Sequence, residues 1–448
     1  MSTIFFDDSL AALAKIIVEQ LGEDVLKRGV VLRDASGLLT FVSRDPAPSE
    51  RARAEIAASV SRSLGAYART DRPVAFADDP GAMRLLDDVG PLFIKVGEYQ
   101  CRVIDRRIVG SAWLGEPRDR AAGAPRVVFA SLKGGVGRST ALAITASDLA
   151  NRGRNVLAVD LDLEAPGIGE FLLTEERMPR FGVVDYLVEN GIGGIPNNLL
   201  ESFVGTSALT HGGGGRVDVL PALGSVSQAN PGNVMAKISR AMIEDISPAG
   251  DRISVSDQIS AMIDRISGLS QYDVVLIDSR AGLTELAAPA VLGLGALVLL
   301  FGTAQRQTIS GYRTLFAALG LLAARDLAAG RSADWRLLIK PVYAKASLDP
   351  EVSDRHRADL YDVFAEELYD SFDGPYAPAN SISFLPDDPD APHAPLVLPF
   401  SSHFIDFDPL VHHDHLAKPF YEQTFRPFLD QLDRLISEYL KNPEQPSR

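Results

Sequence analysis

Val127-Val128-Phe129-Ala130-Ser131-Leu132-Lys133-Gly134-Gly135-Val136-Gly137-Arg138-Ser139-Thr140 decides the fold of this chain. Four apolar residues read as a buried strand, the glycine-rich run as a tight loop, and Ala141–Asn151 as the helix that follows. Glycines let a backbone turn sharply with its N–H groups facing inward, where they meet phosphate oxygens. The start of the helix adds a positive dipole end and unpaired N–H groups. Gly134, Gly135, Val136, Gly137, Arg138, Ser139 and Thr140 are therefore the expected phosphate cradle. Arg138 is placed to meet the β- and γ-phosphates, and the Ser139 hydroxyl to ligate magnesium.

Outward from this stretch, apolar strands alternate with helices, the pattern of a parallel sheet covered on both faces. The expected strands are Val127–Ala130, Val156–Asp160, Val274–Asp278, Ala296–Phe301 and Leu337–Val342. The long insert between the second and third holds the Gly212–Gly215 loop, a strand Val217–Leu220, and helices around Val234–Ile246 and Val255–Ile266. Residues 115–125, GEPRDRAAGAP, read as a linker. Before it, residues 1–114 form a small α/β domain: helical spacing at Ser9–Gln20 and Glu50–Ala68, a strand at Leu38–Val42, and a hairpin from Pro91–Val96 and Gln100–Ile108. No catalytic constellation lies there, which suits an adaptor or regulatory role. The expected fold is α/β, a mostly parallel sheet with helices on both faces over residues 126–448, preceded by that small α/β domain.

Two carboxylate motifs follow the glycine-rich loop in order. Val156–Asp162 ends a strand in Asp160 and Asp162, and alternation along an extended chain sets both on one side, to hold magnesium and orient a water. Val274–Asp278 ends a second strand in Asp278, a carboxylate suited to hold magnesium through water. Ser279-Arg280-Ala281-Gly282 comes next. Arg280 is either a charge offered to a transition state or a solvated surface arginine, and the second reading is favoured.

Together these residues resemble the deviant Walker A P-loop ATPases of the ParA/MinD family, of the SIMIBI class, whose loop reads KGGxGK[ST]. The resemblance covers residues 126–282. It implies that Lys133 reaches the phosphates of a neighbouring subunit in an ATP-sandwich homodimer. It also implies that Asp162 positions the attacking water, and that Gly282 senses the γ-phosphate. Catalysis would thus rest on Lys133, Asp162 and Arg138; magnesium on Ser139, Asp160 and Asp278. Arg138 departs from the family's lysine and is similar to a KGGVGR subgroup that looks like a component of multi-gene bacterial defence or signalling systems. Arginine keeps the charge but offers a planar, bidentate fork in place of a point charge. Arg280 stands where the family's second switch has proline. The function implied is an ATP-dependent dimerising ATPase that acts as a switch for a protein partner. The alternatives are a nucleotide-gated scaffold with little hydrolysis, and a DNA-partitioning ATPase.

The rest of the sequence narrows the partners. Of 448 residues, 44 are basic and 59 acidic, a net charge of −15 that disfavours nucleic acid and anionic lipid as bulk partners. Cys101 is the one cysteine, which fits a reducing compartment. The N-terminus lacks the layout of a secretory signal. Leu286–Ala304 is uncharged and long enough to span a bilayer, yet Pro289, Gly293, Gly295 and Gly302 break it into a short helix, a turn and a buried strand. A cytoplasmic protein with no membrane partner is expected, its protein partner recruited through residues 1–114. The histidines between His403 and His415 read as a surface turn rather than a metal site. Pro392–Pro399 and Asp406–Pro409 read as an irregular loop, and Lys340-Pro341-Val342 as a strand end. The family resemblance implies an adenine contact from loops near the former and puts a base-reading asparagine at the level of the latter, where this sequence has none. Tyr421–Leu440 is an amphipathic helix that docks on the sheet.

Overall fold

The computed structural model describes residues 4–209, 214–247, 249–371 and 381–441. Residues 212–213 of the tetraglycine loop lie outside the described residues. The chain divides into two compact units, one running to Ser111 and including Ala318–Ala333, the other formed by Ala112–Ala317 and the chain from Asp334 onward.

In the first unit, β1 (Val30–Arg33), β2 (Leu39–Val42), β3 (Val74–Ala75), β4 (Leu92–Val96) and β5 (Tyr99–Asp105) form a sheet ordered β3-β2-β1-β5-β4. Strand β4 meets β5 as the expected antiparallel hairpin about Gly97, whose φ of 61° suits glycine. Alternation sends Val31, Phe41 and Val103 to a core shared with Leu13 and Ile17 of helix Phe6–Leu21 and Val60 of helix Glu50–Leu64. Val30 and Val42 face the other way, onto Ala82 and Leu86. Cys101 is buried in the first core, and burial pushes its thiol up to about 11, so it is a packing residue.

The second unit is built on β6 (Arg126–Ser131), β7 (Asn155–Asp160), β8 (Gly205–Thr206), β9 (Arg216–Leu220), β12 (Val274–Ala281), β13 (Leu297–Gly302), β14 (Ile339–Ala346) and β15 (Leu396–Pro399). A small hairpin of β10 (Asp245–Ile246) and β11 (Arg252–Ile253) stands apart from it. The main sheet is ordered β15-β14-β13-β6-β12-β7-β9-β8, parallel throughout except for β8. Strand β6 is buried along its whole length, because helices cover both faces. On one face Phe129 stacks on Phe301, which meets Phe428 of the long C-terminal helix Lys418–Lys441 edge-on. That helix buries Phe425, Phe428, Leu429, Leu432 and Ile436 against the sheet, the docking its amphipathic pattern predicts. Each fully buried side chain of this size contributes about 1.5–3 kcal/mol. On the other face lie helix Val255–Ser267, started by a Ser254/Asp257 capping box, and helix Ala288–Leu292.

Leu286–Ala304 divides as its glycines predict, into helix Ala288–Leu292 and β13, and no helix among the described residues is long and apolar enough to cross a membrane. The helix expected around Val234–Ile246 is Pro231–Ala241, followed by β10. The stretch expected as a linker is tied down within the second unit. The N–H groups of Arg118 and Ala121 donate to the carbonyls of Leu292 and Gly295, at 2.9 and 3.0 Å. Gly295 is required there, since a Cβ would lie 2.0 Å from the Asp119 carbonyl oxygen.

Candidate phosphate-binding site

The glycine-rich loop leaves the carboxyl end of β6, between β12 and β13. The chain departs from β6 toward β7 on one side and later returns to β13 on the other, the point in an open parallel sheet where ligands bind. Gly135 and Gly137 hold φ of 74° and 87°, which only glycine adopts without strain. A Cβ on Gly134, Gly135 or Gly137 would find nothing within 4 Å, so backbone conformation and not crowding calls for glycine at the last two. The Ser131 hydroxyl donates to the Lys133 carbonyl at 2.9 Å and closes the first turn. Leu132 lies over Gly311. Lys133 is exposed and donates to Gln305 and Gln307. Val136 is buried, and Thr140 sits in the first turn of the helix Arg138–Asn151.

Asp278 and Asp160 stand side by side in the register of β12 and β7. The Asp278 carboxylate accepts the Ser139 hydroxyl at 2.5 Å on one oxygen and Arg138 Nε at 2.5 Å on the other. Arg138 also reaches Asp162 Oδ2 with Nη2 at 2.9 Å and Ser131 Oγ with Nη1 at 3.2 Å. Arg138, expected at the phosphates, is thus turned inward, 9% exposed, onto two carboxylates that are 1% and 6% exposed.

Asp160 is used differently from its partner. One oxygen accepts the Asp162 N–H at 3.1 Å; the other accepts the N–H groups of Gly167 and Ile168 at 3.0 and 3.1 Å. Its carboxylate therefore organises the turn after β7. That strand ends at Asp160, so strand alternation does not carry on to Asp162, which lies in the loop beyond it and accepts the Ala165 N–H at 3.3 Å. Burial, then the charge of Asp278, raises the Asp160 carboxyl, against the pull of the three amides. Burial also raises Asp278, opposed by Arg138 and the Ser139 hydroxyl.

Arg280 is not the solvated surface arginine expected from the sequence. Its guanidinium lies 3.5 Å from Asp162 Oδ1 and 2.6 Å from Glu164 Oε2, tying the end of β12 to the loop after β7. Gly282 has φ of 98°, and its N–H donates to the Ser131 carbonyl at 2.8 Å. The structure brings Lys133, Arg138, Ser139, Asp160, Asp162, Asp278 and Gly282 to one end of the sheet. It adds Ser131, Glu164, Gln305 and Gln307, which no local sequence pattern singles out.

Other expected features lie elsewhere. Lys340 is near the start of β14, buried, with Nζ donating to the Ala391 carbonyl at 2.6 Å; loss of hydration lowers its ammonium to about 8. The strand runs on to Ala346, so Lys340-Pro341-Val342 is not its end. Leu396–Pro399, expected as irregular loop, is the parallel strand β15. His403, His412 and His413 are exposed, and His415 stacks between Phe407 and Phe420 and accepts the Asp408 N–H at 3.1 Å. Among the described residues no three His, Cys, Asp or Glu side chains are grouped to hold a metal ion.

Residues 127–268 match the CobQ/CobB/MinD/ParA nucleotide binding domain family. This segment is a ParA/MinD-type nucleotide-binding domain. The strand–loop–helix and the Asp160-bearing strand β7 lie in this segment, and β12, which carries Asp278 and follows it, joins them in the one parallel sheet of an α/β P-loop fold. No curated protein sequence matches this chain. Among solved structures, the cell division ATPase MinD of Pyrococcus furiosus is 19% identical, with 70% of this chain and 99% of that one covered at a TM-score of 0.42. The MinD cell division protein of Aquifex aeolicus is 18% identical, covering 72% and 100% at 0.40. A plasmid partition protein of Borrelia burgdorferi is 14% identical, covering 67% and 99% at 0.36.

Proposed function

We propose that this protein is a magnesium- and ATP-dependent ATPase whose nucleotide state switches it between monomer and homodimer, for the benefit of a protein partner. The observation that carries the reading is the pairing of Ser139 Oγ with Asp278 at the first turn of the loop helix, beside the glycine-rich loop. These are hard oxygen donors, the type magnesium takes when nucleotide phosphates and waters complete its shell, so a three-side-chain cage is not needed. The ion would neutralise phosphate charge there. The loop N–H groups and helix start bind the phosphates; Ser139 and Asp278 hold the ion; Asp160 fixes the turn that presents Asp162; Asp162 orients the attacking water. Lys133 is exposed at the loop, where the side-chain amides of Gln305 and Gln307 hold it, a place from which it can reach a second copy's phosphate. The first unit, with its own sheet and core, is the surface we assign to the partner. The charge of −15 favours a protein there over nucleic acid. By the resemblance of its loop, the setting is a bacterial defence or signalling system in the cytoplasm.

Phosphate release and solution mass, with and without Mg–ATP, in wild type and Lys133→Ala, test the reading. Wild type should release phosphate and gain mass, and the variant should do neither. If wild type binds ATP yet shows neither response, the switch fails. The nucleotide-gated scaffold then stands, a reading favoured by the lock of Arg138 onto Asp162.

A further inference from the structure

Arg138 does more in this site than a phosphate contact requires. Its fork spans two buried carboxylates, and with Ser139 it fills both oxygens of Asp278. Carboxylates this buried are costly unless paired. A lysine is a single point charge, whereas the planar guanidinium can serve Asp278 through Nε and Asp162 through Nη2 at once. The fork also stands between the two carboxylates.

We infer that Arg138 is an internal counter-ion that fills the divalent-cation position of this site until nucleotide arrives. Arg138 must leave Asp278 before the Ser139–Asp278 pair can take a cation, and nucleotide phosphates are the anions that receive its guanidinium. Cation entry and the phosphate-facing position of Arg138 are then one exchange, which keeps the buried charge balanced at each end. The inference rests on the proposed nucleotide reading, and it gives the arginine in the loop a reason that a phosphate contact alone does not.

The test uses Mn²⁺ without nucleotide, its free fraction read by electron paramagnetic resonance, on wild type, Arg138→Gln and Arg138→Ala, with folding checked by circular dichroism. Removing the fork should let the bared carboxylates bind one Mn²⁺ at least about tenfold more tightly than wild type, the usual size of coupling between two sites. Equal binding in all three, or none in any, overturns the inference. A second arm needs no variant: crystal structures of the wild type alone and with magnesium and a non-hydrolysable ATP analogue. Arg138 should bond Asp278 in the first and not in the second; an unchanged bond overturns the inference. Direct ATP binding by wild type separates the two readings. No ATP binding together with tighter Mn²⁺ in the variants removes the nucleotide switch and keeps the counter-ion; ATP binding with flat Mn²⁺ does the reverse.

Discussion

The Gly282 N–H donates to the carbonyl of Ser131 at 2.8 Å, joining the end of β12 to the first residue of the phosphate loop. Gly282 holds φ of 98°, and a Cβ there would have Thr284 Cγ2 at 3.8 Å as its nearest neighbour, so conformation and not space demands glycine. Gly282→Ala should cost about 1 kcal/mol, or about 1–2 °C in Tm for a unit of this size. On the proposed nucleotide-switch reading, the strain sits on the bond that joins the chain after β12 to β6, and the ATP-dependent mass change should fall further than ATP affinity. Scanning calorimetry and light scattering measure the two; an intact mass change with lowered Tm would disconnect this bond from switching.

Arg280 meets Asp162 on the oxygen opposite to the one Arg138 holds, so under the proposed ATPase reading it is a positioning residue for Asp162. Arg280→Ala should lower kcat about tenfold to a hundredfold, the scale of a misplaced catalytic group, while KM changes little. Arg280→Lys keeps the charge but not the fork that reaches both Asp162 and Glu164, so it should recover only part of kcat. A loss confined to KM would make Arg280 a nucleotide contact instead.

The three strands that build the site are legible because each is a short apolar run ending in a polar or charged group: Ser131, Asp160 and Asp278. What the sequence hides is pairing across distance. Arg138 and Asp278 are 140 positions apart, and nothing local says that the arginine turns inward. Proline obscures the far edge of the sheet. Pro341 sits inside β14, opposite Leu300 of β13, and the ladder to β15 begins one residue later, at Val342. Its missing N–H therefore falls where that outer strand has not yet started. Pro392, Pro395 and Pro399 similarly disguise β15 as a loop. In the first unit β1 follows Gly29 with only four residues, Val30–Arg33, too short for alternation to announce it.

Leu132 and Gly311 should be energetically coupled. A Cβ on Gly311 would lie 2.6 Å from Leu132 Cδ1, the tip of a side chain that can move. Alanine gains about 1 kcal/mol over glycine inside a helix, and crowding of this kind costs about 1–3 kcal/mol. Gly311→Ala alone should therefore be close to neutral or slightly destabilising, whereas in a Leu132→Ala background the same change should stabilise by about 1 kcal/mol. Urea unfolding of the four proteins closes the cycle. Additive effects would show that Leu132 does not rest on this helix.

His356 is the residue through which acid should weaken the second unit. It is 3% exposed, packs at 4.6 Å on Tyr343, and its buried Nδ1 has no hydrogen-bond partner among the described residues. Burial lowers the imidazolium to about 4 from 6.5, only partly opposed by Asp359. Between those values the unfolded chain binds a proton that the folded chain refuses, so stability is full above about 6.5 and drains away as pH falls toward about 4. The loss is at most about 3 kcal/mol. His356→Phe keeps a ring against Tyr343 and has nothing to titrate. Urea midpoints at pH 7.5, 6 and 5 should fall in the wild type and fall less in the variant. Equal slopes would place the acid sensitivity in other groups.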